Sequence, residues 1–424
     1  MKILITGTTG ESMPPPYGGI PKVSLLYARE WKRMGHEVAV TFTYRPETAD
    51  DLSAGATYFF EYTRQPTKRA KASFLLHNAL LHPLRYLGFL LAYVQINSRV
   101  TIETILYAAY GVWLDRIIAS WQPDIVLGEA ALIKSFMAAR SANRHRIPIV
   151  LDTYAEVRDL GMGVNKHFKP KARRRYWERL LAMTEFVMGM SNCSDGPLMY
   201  MPREKVKVFY DTCDFTNSRA ALAESVSDAR AALSLPQDMR LVGAVGAFSP
   251  RKGHDHLIRA VGELGLAGEK YGVVLCGAGD ATEWKALAEK EGIADRVFFL
   301  QSLSECNLAR LYRSVDLYAN LSNSPRSCGL DLALLEAMTA QKPVVVYDTG
   351  ALPTAVPDGK NGYVVHTDDV PGVVMAIRAF FALPEEERTQ MGVLSAEAAS
   401  KCDIVETAKI KINWLQEAIT NFKK

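Results

Sequence analysis

The stretch Leu241-Val242-Gly243-Ala244-Val245-Gly246-Ala247-Phe248-Ser249-Pro250-Arg251-Lys252-Gly253 decides the fold. An apolar run of strand length breaks into a turn rich in Gly, Ser and Pro, and the residues from His254 to about Leu264 take helical spacing. The unit repeats downstream, with strands at 273–276, 297–300, 316–319 and 343–347 and helices at about 281–291, up to about 314, and at about 331–340. Upstream, Lys2 to Thr6 reads as a strand, Lys22 to Met34 as a helix closed by Gly35, and Glu37 to Thr43 as a strand. A long helix at 100–120 then leads to short strands at 125–127 and 147–151. Strands alternating with helices imply an α/β protein with open, mostly parallel sheets covered on both faces. The pattern restarts once, so two doubly wound domains are predicted, with a linker over Asn217 to Met239 and the boundary near 215–238.

A length of 424 residues suits two or three domains, and 48% hydrophobic with 23% charged residues excludes disordered, collagen-like and coiled-coil chains. The six cysteines, at 193, 213, 276, 306, 328 and 402, are far apart and form no Cys-x-x-Cys, so neither a disulfide framework nor a zinc or other metal site is expected. A reducing, cytoplasmic setting fits, and the N-terminus reads as a strand rather than a signal peptide. Ala72 to Leu84 and Tyr86 to Ser98 are uncharged and apolar, but each is 13 residues long and Arg85 separates them. Spanning a bilayer takes roughly 18–20 residues, so no transmembrane helix is expected and the apolar residues of 75–94 are read as domain core. Charge is uneven: residues 1–220 hold 29 Lys/Arg against 20 Asp/Glu, while 221–424 hold 21 against 26. The first half is therefore suited to an anionic partner. No basic surface interleaved with aromatics stands out, so nucleic acid is not expected as a partner.

Three glycine-bearing turns are candidate anion sites. Ile5-Thr6-Gly7-Thr8-Thr9-Gly10 resembles the start of a dinucleotide fingerprint, but Met13 stands where a third glycine belongs. The second strand also ends in Thr41-Phe42-Thr43-Tyr44 without an acidic ribose ligand, and no Tyr-x-x-x-Lys pair occurs, so a dehydrogenase is set aside. Gly18-Gly19 precedes a helix, and its backbone N–H groups suit a phosphate or a substrate hydroxyl; a plain tight turn is equally consistent with the local sequence. Lys252 sits between a strand end and a helix start, where it can neutralise a diphosphate, or it is one cation of a solvated loop. Further on, Ser324-Pro325-Arg326-Ser327-Cys328-Gly329-Leu330-Asp331 precedes a helix carrying Glu336. A carboxylate on its inward face can accept both hydroxyls of a ribose.

Taken in order, Gly246 with Lys252-Gly253, Gly277-Ala278-Gly279-Asp280, Val315-Asp316-Leu317-Tyr318, Gly329-Leu330 to Glu336-Ala337-Met338, Lys342-Pro343-Val344-Val345, Gly350-Ala351-Leu352-Pro353 and Asp358-Gly359-Lys360-Asn361-Gly362 resemble the donor-binding half of retaining glycosyltransferase family 4. Gly18-Gly19, Pro123-Asp124-Ile125-Val126, Ser191-Asn192 and Val208 to Asp214 resemble landmarks of the family's first half. The resemblance implies a GT-B architecture: two Rossmann-like domains facing each other across a cleft. Residues 1–215 would bind the acceptor, with a helix over about 400–424 crossing back onto them, and 216–399 would bind a nucleotide sugar.

Carried over by position, the resemblance makes Lys252 the diphosphate cation, Glu336 the ribose ligand, and Gly329 and Leu330 backbone donors, with Gly246 and Gly277 lining the donor site. The chain departs from the family at Ala247, where an arginine is usual, and at Cys328, where a sugar-binding glutamate is usual. Arg251 or Arg326 then stands in as the second cation, and Asp331 or Glu156 as a carboxylate. Near the acceptor the usual histidine is missing from Leu151-Asp152-Thr153-Tyr154-Ala155-Glu156, which leaves Tyr154 and Glu156 beside Gly18 and Gly19 as acceptor-side candidates. Lys252, Arg251 and Cys328 form the expected catalytic set.

The implied activity is transfer of a hexose-type sugar from a nucleoside diphosphate to an acceptor hydroxyl, with retention and without metal or other cofactor. The acceptor is a glycan or small molecule, with lipid-linked precursors included. Two other classes stand beside it: a weakened partner subunit or nucleotide-sugar-binding protein, and another GT-B enzyme such as a sugar-nucleotide epimerase or a phosphorylase. The basic cluster Lys166, Lys169, Lys171, Arg173, Arg174, Arg175 and Arg179 is read either as a solvated helix face or as a peripheral contact with the inner membrane surface.

Overall fold

The computed structural model describes residues 1–7, 19–44, 55–97, 100–129, 133–153, 169–190, 195–209, 212–266, 270–301, 303–323, 330–356 and 359–423. The chain divides into two compact units, Met1–Tyr210 with Ile404–Lys424, and Asp211–Asp403.

The first unit holds strands β1 (Lys2–Thr6), β2 (Glu37–Tyr44), β3 (Thr57–Tyr62), β4 (Ile125–Glu129), β5 (Ile149–Thr153), β6 (Val187–Met190) and β7 (Val206–Phe209). They form one parallel sheet in the order β3-β2-β1-β4-β5-β6-β7. Around it lie helices α1 (Gly19–Arg33), α2 (Lys68–Leu81), α3 (Pro83–Asn97), α4 (Ile102–Trp121), α5 (Ile133–Arg144), α6 (Pro170–Ala182) and α7 (Asp195–Leu198). The second unit holds β8 (Arg240–Val245), β9 (Tyr271–Cys276), β10 (Val297–Leu300), β11 (Leu317–Asn320), β12 (Val344–Tyr347) and β13 (Gly362–Val365). These are again all parallel, in the order β10-β9-β8-β11-β12-β13. Its helices are α8 (Thr216–Ala220), α9 (Val226–Ala232), α10 (His254–Leu266), α11 (Thr282–Lys290), α12 (Glu305–Ser314), α13 (Leu332–Thr339), α14 (Leu352–Ala355), α15 (Val370–Ala382) and α16 (Glu385–Ser400); the closing helix α17 (Ile404–Phe422) belongs to the first unit.

Both units are thus doubly wound, as the alternation of strands and helices predicts. Every residue of β5, β9 and β12 is buried, because helices cover both faces of a parallel sheet and each strand reads as a continuous apolar run. The sequence reading passed over β3, β6, β7 and β13, the last three only four residues long. In β3 no residue is fully buried, since it lies at the edge of its sheet and shows no buried face.

Three further features concern the expectations. The segment read as a linker is folded into the second unit: Arg230 of α9 is buried and donates to the carbonyls of Ser314, Gln237 and Met239 and to Asp316 Oδ2 at 3.0 Å. Four acceptors fix that guanidinium, so its charge marks a packed element rather than a solvated connection. Helix α17 is tied into the first unit. Trp31 Nε1 donates to the Ala408 carbonyl at 3.1 Å, and Lys411 Nζ meets Asp152 Oδ2 at 2.6 Å with both side chains buried. Burial works against the Lys411 charge, yet the Asp152 carboxylate, followed by Tyr27, holds its pKa above the ordinary lysine value.

The third feature is a correction. The apolar residues of 75–94 are not mainly core. Helix α3 buries Phe89, Ala92 and Tyr93, but Leu84, Leu87 and Leu91 on its other side are exposed, as are Leu76, Leu80 and Leu81 of α2. The one charge in the region, Arg85, turns inward to Asp115 Oδ2 at 2.9 Å. Composition alone could not show that the leucines face out and the arginine in. Among the described residues no single helix is long and apolar enough to cross a membrane; α2 and α3 pass that test only as a pair, and they are bent by 112°.

Candidate functional site

In the second sheet, strand order reverses at β8, which pairs with β9 on one side and β11 on the other. Connections leave such a point in opposite directions and open a crevice at the carboxyl ends of the strands, the usual ligand position in this architecture. Gly246 follows β8, Lys252 closes the short 3₁₀ turn Pro250–Lys252, Asn320 ends β11, and Asp331 caps α13.

The glycines set the spacing. A Cβ on Gly277 would lie 1.9 Å from the Gly246 carbonyl oxygen, so the ends of β8 and β9 approach this closely only without a side chain there. A Cβ on Gly246 would lie 3.1 to 3.3 Å from Cδ, Cγ and Cε of Lys252, so the lysine stem runs directly over that glycine. Its Nζ then reaches Asp331 Oδ2 at 2.9 Å, and Asn320 Nδ2 donates to the same oxygen at 2.9 Å. Asp331 makes no side-chain capping bond to its own helix. Its carboxylate is directed at the lysine, which brings the ammonium to the positive end of α13.

Five residues further on, Glu336 is half-buried, accepting from the Tyr312 hydroxyl at 2.9 Å and from the Cys213 thiol at 3.8 Å. Burial, and after it the Glu336 charge, pushes the Tyr312 phenol well above its ordinary value, so it remains a donor to the carboxylate. Leu330 packs its side chain into the core with Leu334 and Leu335, leaving only its backbone for a ligand. Arg251 is exposed, and Ala247 is exposed on the same turn.

The structure therefore gathers Gly246, Gly277, Lys252 and Asp331, with Glu336 further along α13. Arg326, Cys328 and Gly329 lie outside the described residues, as do Gly18, Tyr154 and Glu156; Gly19 is the first residue of α1. Sequence reasoning missed Asn320, Tyr312 and His254. The buried His254 next to Lys252-Gly253 has its pKa lowered to about 4, first by burial and then by the Lys252 charge, so it is a neutral imidazole. Asn320, at the end of a strand beside the switch point, was legible from position alone; the other two have no local signal.

In the first sheet the reversal falls at β1, between β2 and β4. Thr6 ends β1 and bonds the Tyr110 hydroxyl at 2.7 Å, and Thr41 donates to Thr6 at 2.9 Å. Glu129 ends β4 fully buried, with Ser24 Oγ 2.6 and 2.5 Å from its two carboxyl oxygens. Both contacts are donations from the one Ser24 hydroxyl, a three-centre bond that favours the charged carboxylate. Burial outweighs it and pushes the Glu129 pKa up to about 8.

GT-B proteins are built from two parallel doubly wound units of this kind. Residues 225–393 match the family model of glycosyl transferases group 1, and residues 18–210 match that of the glycosyl transferase 4-like domain. The chain belongs to this glycosyltransferase family. It is 31% identical over 200 residues to the D-inositol 3-phosphate glycosyltransferase of Mycolicibacterium smegmatis, a match covering 46% of this chain and 44% of that one. The chain thus spans less than half the length of the curated relatives it matches. Among solved structures, sucrose-phosphate synthase from Thermosynechococcus elongatus superposes with a TM-score of 0.73 at 16% identity, over 99% of both chains. Anabaena Alr3699/HepE, solved in complex with UDP, gives 0.71 at 17% identity over 98% of this chain and 100% of that one.

Proposed function

We propose that the chain transfers a hexosyl unit from a nucleoside diphosphate sugar to an acceptor hydroxyl with retention of configuration, and that the second unit binds the donor. The observation that carries this reading is the placement of Lys252 at the N-terminal end of α13, with Glu336 on the same helix. A diphosphate is an anion suited to a lysine and a helix N-terminus. The vicinal hydroxyls of a ribose are donors suited to a carboxylate. Asp331 and Glu336 are five positions apart, about 7.5 Å along the helix axis at 1.5 Å per residue, so one short helix offers contacts to both parts of a nucleotide.

Lys252 exchanges its partly exposed pairing with Asp331 for the diphosphate, a modest cost for an ion pair in contact with solvent. The acceptor oxygen bonds the anomeric carbon on the face from which the diphosphate leaves. The bond from that carbon to the β-phosphate oxygen breaks, the acceptor proton passes to a β-phosphate oxygen, and the nucleoside diphosphate departs opposite Lys252. No prosthetic group or metal ion enters this scheme. In this scheme Arg251 or Arg326 supplies the second cation, and Cys328 stands in the sequence at the place of the family's usual sugar-binding glutamate. The fold neighbour HepE has been solved with UDP, with UDP and glucose, and with UDP-glucose, so UDP-glucose is the first donor to test. The acceptor is a glycan or small molecule, lipid-linked precursors included.

The reading is checked by incubating the protein with nucleotide sugars and candidate acceptors, then measuring nucleoside diphosphate release and the anomeric configuration of the product by NMR. Release with a retained α-linkage from an α-linked donor is expected. Nucleotide binding without release would assign a binding subunit instead, and epimerised donor without release an epimerase. Glu336→Ala is expected to weaken donor binding about 10- to 100-fold by removing charge-assisted bonds to the ribose. Titration calorimetry with the released nucleotide measures the loss, and unchanged affinity would remove Glu336 from the site.

A further inference from the structure

Of the fourteen large hydrophobic side chains that are exposed among the described residues, eight fall between Leu76 and Ile102. On α2, Arg69, Leu76 and Leu80 lie along one line of the helix, at spacings of seven and four residues. On α3, Leu84, Leu91 and Gln95 lie along another, flanked by Leu87. Leu80 is 78% exposed and Leu84 is 84% exposed, either side of the bend at His82, so the two lines meet at a leucine-rich tip.

Cations frame this surface. Lys68, Arg69 and Lys71 begin α2, all exposed. At the far end of α3, Arg175 of α6 donates to the Gln95 carbonyl at 3.3 Å, and Arg179, one turn on, donates to Gln95 Oε1 at 3.0 Å. Lys171 continues that line of α6 toward its N-terminus. Arg140 of α5 stands close enough to Arg179 that burial and the neighbouring positive charge lower its pKa. The acid on this part of α6, Glu178, is already held by Arg174 at 2.7 Å. Like charges gathered at the edge of an apolar face, with the neighbouring acid already paired, match an anionic surface that takes up the leucines.

We infer that α2, α3 and the basic face of α6 form a docking surface for an anionic lipid bilayer, with Leu80 and Leu84 entering the interface and Arg175 and Arg179 meeting lipid phosphates. Unlike a protein partner, a bilayer needs no fixed complementary shape, and a bent pair of helices with a leucine tip between two basic ends offers it apolar and cationic contacts together. The assignment is independent of the donor site, because every residue it uses lies in the first unit.

The test is co-sedimentation of the full chain with vesicles of phosphatidylcholine alone and of phosphatidylcholine mixed with phosphatidylglycerol, at low and high salt, with analytical ultracentrifugation of the free protein. Binding confined to the anionic vesicles and reversed by salt is expected. Arg175→Gln with Arg179→Gln should weaken it about 25-fold, at roughly fivefold per cation. Leu80→Ser with Leu84→Ser should weaken it about tenfold or more, with an unaltered melting temperature because both side chains are exposed. Both variants should keep the wild-type rate of donor turnover in vesicle-free buffer, which separates this surface from the transferase reading. Absence of sedimentation, equal binding to neutral vesicles, or an unchanged affinity in both variants would overturn the inference. So would a stable dimer that dissociates in the leucine variant, since it would assign the face to a second copy of the chain.

Discussion

Lys252→Ala is expected to lower sugar transfer by about 10²- to 10³-fold in kcat, the loss seen when one preorganised charge contact to a developing anion is removed. The effect should be large because Lys252 is the cation held at the N-terminal end of α13. Ala247 is neutral on the same turn and Arg251 is exposed, and Asp331, Lys252's partner in the ligand-free protein, is an anion that would repel the departing diphosphate if left unpaired. The variant should remain folded, since Lys252 is partly exposed. Steady-state kinetics with the nucleotide sugar that supports release would show it, and turnover within a factor of two of wild type would remove the proposed role. Lys252→Arg distinguishes charge from shape. A guanidinium keeps the charge but spreads it over a planar fork, so partial recovery is expected rather than full activity.

Glu129→Gln should stabilise the first unit by about 3 kcal/mol at pH 7, with a pH dependence that identifies its origin. The folded chain holds this carboxyl protonated up to about pH 8, against an ordinary value of 4.5. The unfolded chain releases the proton above that ordinary value, so a raised folded pKa gives stability that is full below about pH 4.5 and declines as pH rises toward 8. Glutamine keeps a donor and an acceptor for Ser24 but has no proton to lose. The difference between variant and wild type should therefore be near zero at pH 4.5, grow through pH 7 and level off above pH 8. Denaturant unfolding of the first unit at several pH values measures it, and a difference that does not vary with pH would show that Glu129 is not held protonated.

The fold could be read from the sequence largely because buried parallel strands leave an unambiguous signal. Val297 to Leu300 and Val344 to Val346 are short, apolar, β-branched or aromatic, and bounded by polar turns, and both form strands. Where an element is half-exposed that signal fades, as at β3, whose residues Thr57 to Tyr62 show no buried face. The leucines of α2 and α3 misled for a related reason: composition reports that a side chain is apolar, while its direction is set by what packs beside it, here Phe89 and Tyr93 turned inward and Leu84 and Leu91 outward. In the proposed donor site, Lys252 and Glu336 stand out in the sequence because each lies near the start of a helix behind a glycine-bearing turn. Their partners do not. Asp331 is 79 positions from Lys252, and Cys213 is 123 from Glu336, separations that only the folded chain closes.

The central claim, a nucleoside diphosphate site at the carboxyl ends of β8 and β11, is tested most directly by titrating the wild-type protein with UDP, GDP, ADP and TDP in a calorimeter and following its thermal unfolding with each. Saturable binding of one base is predicted, with a stabilisation of the second unit of about 2.7 kcal/mol at a hundredfold excess over Kd. Neither heat nor stabilisation with any of the four would contradict it.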